Sequence, residues 1–181
     1  MNWHEHFEYI PDTGLMTWRQ RPLSHFPSEA YQRRWNSRHA GKNVGAKAKD
    51  KDGRPCCIRL IVYGKNRIAH RVIWEMIHGH IPSGMVVDHI NRDPWDNRLC
   101  NLRLATHADN SKNKAIQRNN TSGCPGVVLM KGTNKWRVVV DFDGLRLNCG
   151  LWVTKEEATA VYRKVARRVH GDFYPKDRPL S

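Results

Sequence analysis

Lys and Arg outnumber Asp and Glu by 31 to 17 in this 181-residue chain, giving a net charge of +14 and a pI near 10.0, a surplus that a neutral metabolite has no use for and a polyanion does. No apolar run approaches the roughly 20 residues of a membrane span, and the basic residues are not gathered beside a hydrophobic anchor, so nucleic acid is favoured over lipid. The start, MNWHEHFEYI, lacks the basic and apolar segments of a secretory signal, and the protein is expected to be intracellular.

The five cysteines, Cys56, Cys57, Cys100, Cys124 and Cys149, show no C-x-x-C spacing; they read as buried or half-buried free thiols, with neither a disulfide framework nor a structural zinc. Residues 1–68 read as a β-rich, DNA-contacting region. Phe7, Tyr9 and Ile10 precede the turn signal Pro11-Asp12-Thr13-Gly14, and Leu15, Thr17 and Trp18 follow it, which predicts a hairpin. Arg19 to Ala48 has no period and reads as loop. A second hairpin is expected where residues 56–63 meet Gly64-Lys65-Asn66. From Ala69 the period changes to that of a helix, with Val72, Ile73, Met76 and Ile77 on its apolar side and Gly79 as its stop.

The stretch VVDHINRDPWDNRLCNLRLATHADN, residues 86–110, alternates as a strand over 86–90, carries turn chemistry over 91–97 and alternates again over 101–105. Thr106 can then cap a helix starting at His107, which sets Asn110 and Asn113 one turn apart. Strand, loop, strand and helix bring Asp88, His89 and Asn110 within plausible reach of one another. Successive strand residues face opposite sides, so Asp88 and His89 can share a site only where the strand ends, twists or bulges. A carboxylate, an amide oxygen and a substrate phosphate suit magnesium, and a neutral imidazole can deprotonate water.

His70-Arg71, VVDHIN, DNRL, NLR and DN-x-x-N resemble the HNH endonuclease family, in the form common among phage and intron-encoded homing endonucleases. The resemblance covers roughly residues 69–114. It implies a ββα-metal fold with His89 as general base, Asn101 as the central asparagine bracing the loop and the histidine, Asp88 and Asn110 as metal ligands, and Asp96 and Asn97 as loop tethers. It also implies a divalent cofactor, Mg2+ with Mn2+ as the alternative, and a phage-encoded protein in the cytoplasm of a bacterial host. Arg71, beside His70, could meet a phosphate of the DNA.

A linker is expected at 115–122, within the polar, Asn-rich run 112–126, and a last domain at 123–181. Residues 126–130, 135–142 and 145–153 read as three strands, the last two joined at Asp143-Gly144. Thr154 to Glu157 forms a capping box ahead of Ala158, Val161, Tyr162, Val165 and Val169 at helical spacing. This order resembles the APETALA2-type DNA-binding domain, which implies a sheet face of Arg137, Val139, Asp141, Arg146 and Asn148 toward duplex DNA, with Lys131 and Lys135 at its edge. The fold class expected is α+β: N-terminal β-hairpins, a ββα-metal core, then a small three-stranded antiparallel sheet packed on one helix. The function expected is a metal-dependent HNH endonuclease of double-stranded DNA, acting as monomer or homodimer; the competing reading is a non-catalytic sequence-specific or architectural DNA-binding protein, and a third, an RNA-binding protein, rests on charge and tryptophans alone.

Overall fold

The computed structural model describes residues 2–113 and 120–174 and divides the chain into two compact units, Met1–Ala105 and Thr106–Ser181. The class is the α+β architecture expected, built among the described residues from small sheets and four α-helices.

In the first unit, strands β1 (Phe7–Ile10) and β2 (Leu15–Trp18) form the predicted first hairpin, in register Phe7↔Trp18 to Ile10↔Leu15. The region read as loop contains instead a helix, α1 (Glu29–His39), and an edge strand, β3 (Ala46–Lys49). Helix α1 buries no residue, so it has no apolar stripe for a sequence to show. Side chains hold it in place: Asn36 and Gln32 donate to the Arg21 carbonyl at 3.0 Å each, and Trp35 meets Trp18 edge-on at 5.4 Å.

Strands β4 (Pro55–Val62) and β5 (Lys65–Ile68) complete a sheet of order β3-β4-β5. Their register closes at Val62↔Lys65, so the turn is Tyr63-Gly64 rather than Gly64-Lys65-Asn66; both turn residues have positive φ, 49° and 70°. Helix α2 (Ala69–His78) buries Ala69, Val72, Ile73 and Met76, whereas Ile77 lies outside the apolar stripe and is 41% exposed.

Strands β6 (Met85–His89) and β7 (Leu102–Thr106) form a two-stranded sheet, with Asn101 just before β7 in a 3-10 turn. One core joins β1, β2, β4, α2, β6 and β7, since Phe7, Met16, Leu60, Ile73, Val87 and Leu102 pack together. The packing therefore runs across residue 68 without a break and parts after Ala105, inside the stretch that the sequence groups as one nuclease core.

The second unit opens with α3 (His107–Lys112), capped by Thr106, whose hydroxyl accepts from the Asp109 amide at 3.1 Å. Part of the expected linker lies outside the described residues; its end is folded, with Ser122 buried and donating to the Cys124 carbonyl at 2.7 Å. Strands β8 (Val127–Met130), β9 (Lys135–Phe142) and β10 (Leu145–Trp152) form an antiparallel sheet of order β10-β9-β8 against α4 (Lys155–His170). Val138 and Val140 of β9 pack with Ala158, Tyr162 and Ala166 of α4, and the Thr154–Glu157 capping box forms as predicted. Gly126 has φ +70° and no room for a Cβ, which would meet the Val139 carbonyl and the Tyr162 ring. All five cysteines are free thiols, but Cys56 and Cys100 are exposed, because alternate positions of an edge-adjacent strand and a surface 3-10 turn face water. Among the described residues no helix is long and apolar enough to cross a membrane.

Candidate active site

β6 delivers its last two residues, Asp88 and His89, into buried positions, each 7% exposed. The strand ends at His89 and the chain turns at once, with Arg92 in the left-handed region at φ 66°. The two side chains meet different partners. Arg103 of β7 donates through Nε and Nη2 to Asp88 Oδ2 at 3.0 and 2.9 Å, a part-buried ion pair between neighbouring strands. His89 Nε2 lies 2.9 Å from Asn97 Oδ1, and the His89 ring stands perpendicular to that of His70, centroids 4.8 Å apart.

The Asn97 contact sets the tautomer. An amide oxygen only accepts, so with Asn97 Oδ1 toward the ring the matching tautomer carries its proton on Nε2. His70 stays neutral beside it: burial, with lesser contributions from His89 and Arg71, pushes its imidazole down to about 3.

The loop between the strands is braced by its own amides. Asn101 accepts from the Asn91 amide at 2.9 Å and donates through Nδ2 to Asn91 Oδ1 at 2.9 Å and to the Asp96 carbonyl at 2.8 Å. Asp96 accepts from Asn91 Nδ2 at 2.7 Å and from the Arg98 guanidinium at 2.8 and 2.6 Å. The Arg98 hydrogen bond, foremost, holds the Asp96 carboxyl down at about 2. The first hairpin supports the same loop from outside. Tyr9 Oη donates to the Asn97 carbonyl at 2.8 Å, the Leu99 amide donates to the Pro11 carbonyl at 3.0 Å, and Gly14 lies against the Asn97–Arg98 backbone. Burial pushes the Tyr9 phenol up to about 12.

The structure thus places Asp88, His89, Asn97 and Asn101 in the first unit, with His89 bonded to Asn97, Asp88 to Arg103, and Asn101 to Asn91 and the Asp96 carbonyl. Asn101 holds the loop, while the contact to the imidazole falls to Asn97, which the sequence reads as a tether only. Arg103 and the His70 contact were not anticipated; the arginine of N-L-R is the signal that could have pointed to the first. Asn110, the other proposed ligand, is half-buried on α3 and belongs to the second unit.

Among the described residues no three His, Cys, Asp or Glu side chains gather as a metal cluster. A hard divalent ion does not require one, since the donors in question are one carboxylate and one amide oxygen, which suit magnesium. Asp88 supplies the carboxylate, with Oδ2 taken by Arg103.

The residues expected to contact DNA on the β8–β10 sheet are exposed in the second unit: Arg137, Lys131, Lys135, Arg146 and Asn148. Arg146 is paired across the register with Asp141 at 2.8 Å, and Asn148 accepts from the Gly150 amide at 3.1 Å beside a bulge between Asn148 and Leu151. Arg71, in the first turn of α2, is also exposed.

A family model described as HNH endonuclease matches residues 67–112, the span from β5 through α3. Protein 3.8 of Escherichia phage T7 is 36% identical over 104 residues, covering 58% of this chain and 85% of that protein. An uncharacterized HNH endonuclease of Acanthamoeba polyphaga mimivirus is 33% identical over 105 residues, 58% of this chain and 54% of the relative, so the match spans about half the length of that protein. Among solved structures, one titled for DNA binding and cleavage by the HNH homing endonuclease I-HmuI aligns over 90% of this chain and 76% of its own, at 20% identity and a TM-score of 0.37.

Proposed function

Because this chain belongs to the HNH endonuclease family, and so is a nuclease, we propose that it is a homing-type, divalent-metal-dependent endonuclease that hydrolyses phosphodiesters of duplex DNA. The observation that carries this reading is the buried Asp88–His89 pair with its imidazole held through Nε2 by Asn97. That bond presents the Nδ1 lone pair as the base that takes a proton from water. Asn101 acts one step back, fixing the loop from which Asn97 reaches the ring.

Asp88 and Asn110 are the proposed ligands of the ion, Mg2+ with Mn2+ as the alternative. When bound, such an ion supplies Lewis-acid stabilisation of the charge that builds on the phosphoryl and leaving oxygens. Asp88 holds its position through Arg103. The products are a 5′ phosphate and a 3′ hydroxyl, as the family resemblance implies. With one active site per chain, the elementary event is a nick. The net charge of +14 supports a polyanionic substrate, and Arg71 together with the β8–β10 face, Arg137, Arg146, Asn148, Lys131 and Lys135, is proposed to grip flanking duplex in the manner of an APETALA2-like module. The protein is proposed to work inside a bacterial cell on behalf of a phage.

Supercoiled plasmid incubated with Mg2+ tests the mechanism. Relaxed circles are expected to form with the parent chain, to be abolished by EDTA and restored by excess Mg2+, and to form about 10²- to 10⁴-fold more slowly with His89→Ala, the typical loss for a general base. Asp88→Ala is expected to be at least as slow. Parental rates in either variant would end this assignment.

A further inference from the structure

We propose that Arg67 and Arg71 form a clamp for a backbone phosphate of duplex DNA, in an open cleft of about 540 Å³ lined by Trp3, Asn66, Arg67, Ile68, Arg71, Val72 and Glu75. The proposal rests on the nuclease reading above and deepens it: the DNA contact at Arg71 gains a partner, Arg67, and a defined target, a backbone phosphate away from the scissile bond.

Two guanidinium groups line this cleft, and among the described residues neither takes part in an ion pair. The single carboxylate in the lining, Glu75, accepts from Trp3 Nε1 at 2.7 Å and so is committed to the cleft wall. Arg67 is half-buried, with its guanidinium carbon 5.9 Å from the centroid of the Trp3 ring. Among the described residues its buried Nε has no hydrogen-bond partner. A buried guanidinium donor without an acceptor costs free energy unless a ligand supplies one. Like charges lining one cleft repel, and an anion between them turns that repulsion into attraction. A phosphodiester has the matching chemistry: one negative charge and two exposed oxygens, which a guanidinium fork engages in pairs. Ile68 and Val72 provide an apolar floor where the sugar edge of a strand can rest, and the Asn66 carboxamide adds a donor at the rim.

The clamp's place in the fold ties it to the chemistry. Arg71 follows His70 directly in α2, and the His70 ring abuts His89 at 4.8 Å. A phosphate held at Arg71 is therefore fixed relative to the general base through the neighbouring residue of the same helix, His70. The clamp works by positioning the strand; it does not touch the reacting atoms.

Salt-dependent binding of the full-length chain to a fluorescein-labelled duplex tests this, with KCl varied from about 50 to 200 mM. Arg67→Gln and Arg71→Gln are each expected to flatten the slope of log Kobs against log [KCl] by about 1, and the double variant by about 2. Arg67→Lys and Arg71→Lys, which keep the charge, are expected to keep the slope; melting curves show that each variant is folded. Arg33→Gln, which removes a cation 76% exposed on α1, is expected to leave the slope unmoved. Parental slopes in the Gln variants, or an equal loss in Arg33→Gln, overturn the clamp. So does inorganic phosphate binding that depends on Arg67 and Arg71 yet leaves DNA binding unmoved at constant ionic strength, since the cleft would then be a small-anion site. A chain that nicks plasmid while its slope ignores both arginines sinks the clamp alone; one that neither binds nor nicks duplex sinks the nuclease reading with it.

Discussion

Asn97→Ala isolates the contact that orients His89. The substitution deletes the acceptor 2.9 Å from Nε2 and leaves a buried ring N–H without that partner. Such a loss costs about 1–3 kcal/mol. Where the ring must hold that tautomer and angle for Nδ1 to meet the water, the same amount is lost from the transition state, so nicking should slow by about 5- to 150-fold at 1.36 kcal/mol per decade. The assay is single-turnover conversion of supercoiled to relaxed plasmid with enzyme in excess, which removes binding and product release from the rate. Asn101→Ala makes an instructive comparison. It removes three hydrogen bonds from the loop, to the Asn91 amide, Asn91 Oδ1 and the Asp96 carbonyl, and should lower the melting temperature more than Asn97→Ala does. An Asn97→Ala protein that nicks within twofold of the parent would refute the claim that this residue sets the imidazole.

Gly14→Ala should damage catalysis from the first hairpin. A Cβ there would stand 2.6 Å from the Arg98 nitrogen and 2.7 Å from the Asn97 carbonyl carbon, at a φ of +73°; overpacking of this kind costs about 1–3 kcal/mol, read by urea denaturation, and nicking should fall with it through displacement of Asn97. Unchanged stability and rate would show that hairpin and loop do not press on each other. Asp96→Asn tests the loop electrostatically. The folded carboxyl titrates at about 2, below its ordinary 3.8, so the ionised side chain stabilises the fold above about pH 4, and that contribution is lost as the pH falls towards about 2. Melting temperatures of parent and variant should differ by a few degrees at neutral pH and converge near pH 2; a constant offset would contradict the Arg98 account.

The elements that the sequence announced are those with a local cause. The β1–β2 hairpin is marked by Pro11 to Gly14, α4 by its capping box, and the β9–β10 turn by Asp143-Gly144, where both residues have positive φ. Asp88 and His89 stand out because a carboxylate beside an imidazole is rare on a strand that otherwise carries apolar residues. What stayed hidden depends on contacts between distant residues. Helix α1 owes its place to Trp35, Asn36 and Gln32 meeting Trp18 and Arg21, and none of those contacts leaves a period in the chain. The sequence assigns the imidazole contact to Asn101 through the family resemblance and reads Asn97 as a loop tether. Only the folded loop separates the one that reaches the imidazole from the two that brace each other. The partner of Asp88 was hidden for the same reason, because Arg103 lies fifteen residues on and becomes a neighbour only when β6 and β7 pair.

The difficulty that adjacent strand residues face opposite sides is met here by enclosing both sides. Asp88 is taken by the neighbouring strand through Arg103, and His89, the last residue of β6, is taken by the loop through Asn97 and by α2 through His70. A two-stranded ribbon is marginal in water by itself, so β6 and β7 cannot supply the rigidity that such an arrangement needs. It comes from Val87 and Leu102, which lie in the core with Phe7, Leu60 and Ile73, and from the β1–β2 hairpin, whose Tyr9 and Pro11 hold the loop at Asn97 and Leu99. The region before residue 69 is therefore part of the machinery that orients His89, whether or not it also touches DNA. A ββα segment cut out at residue 69 would keep the side chains named in the motif and lose the hairpin and core contacts that hold the loop carrying Asn97.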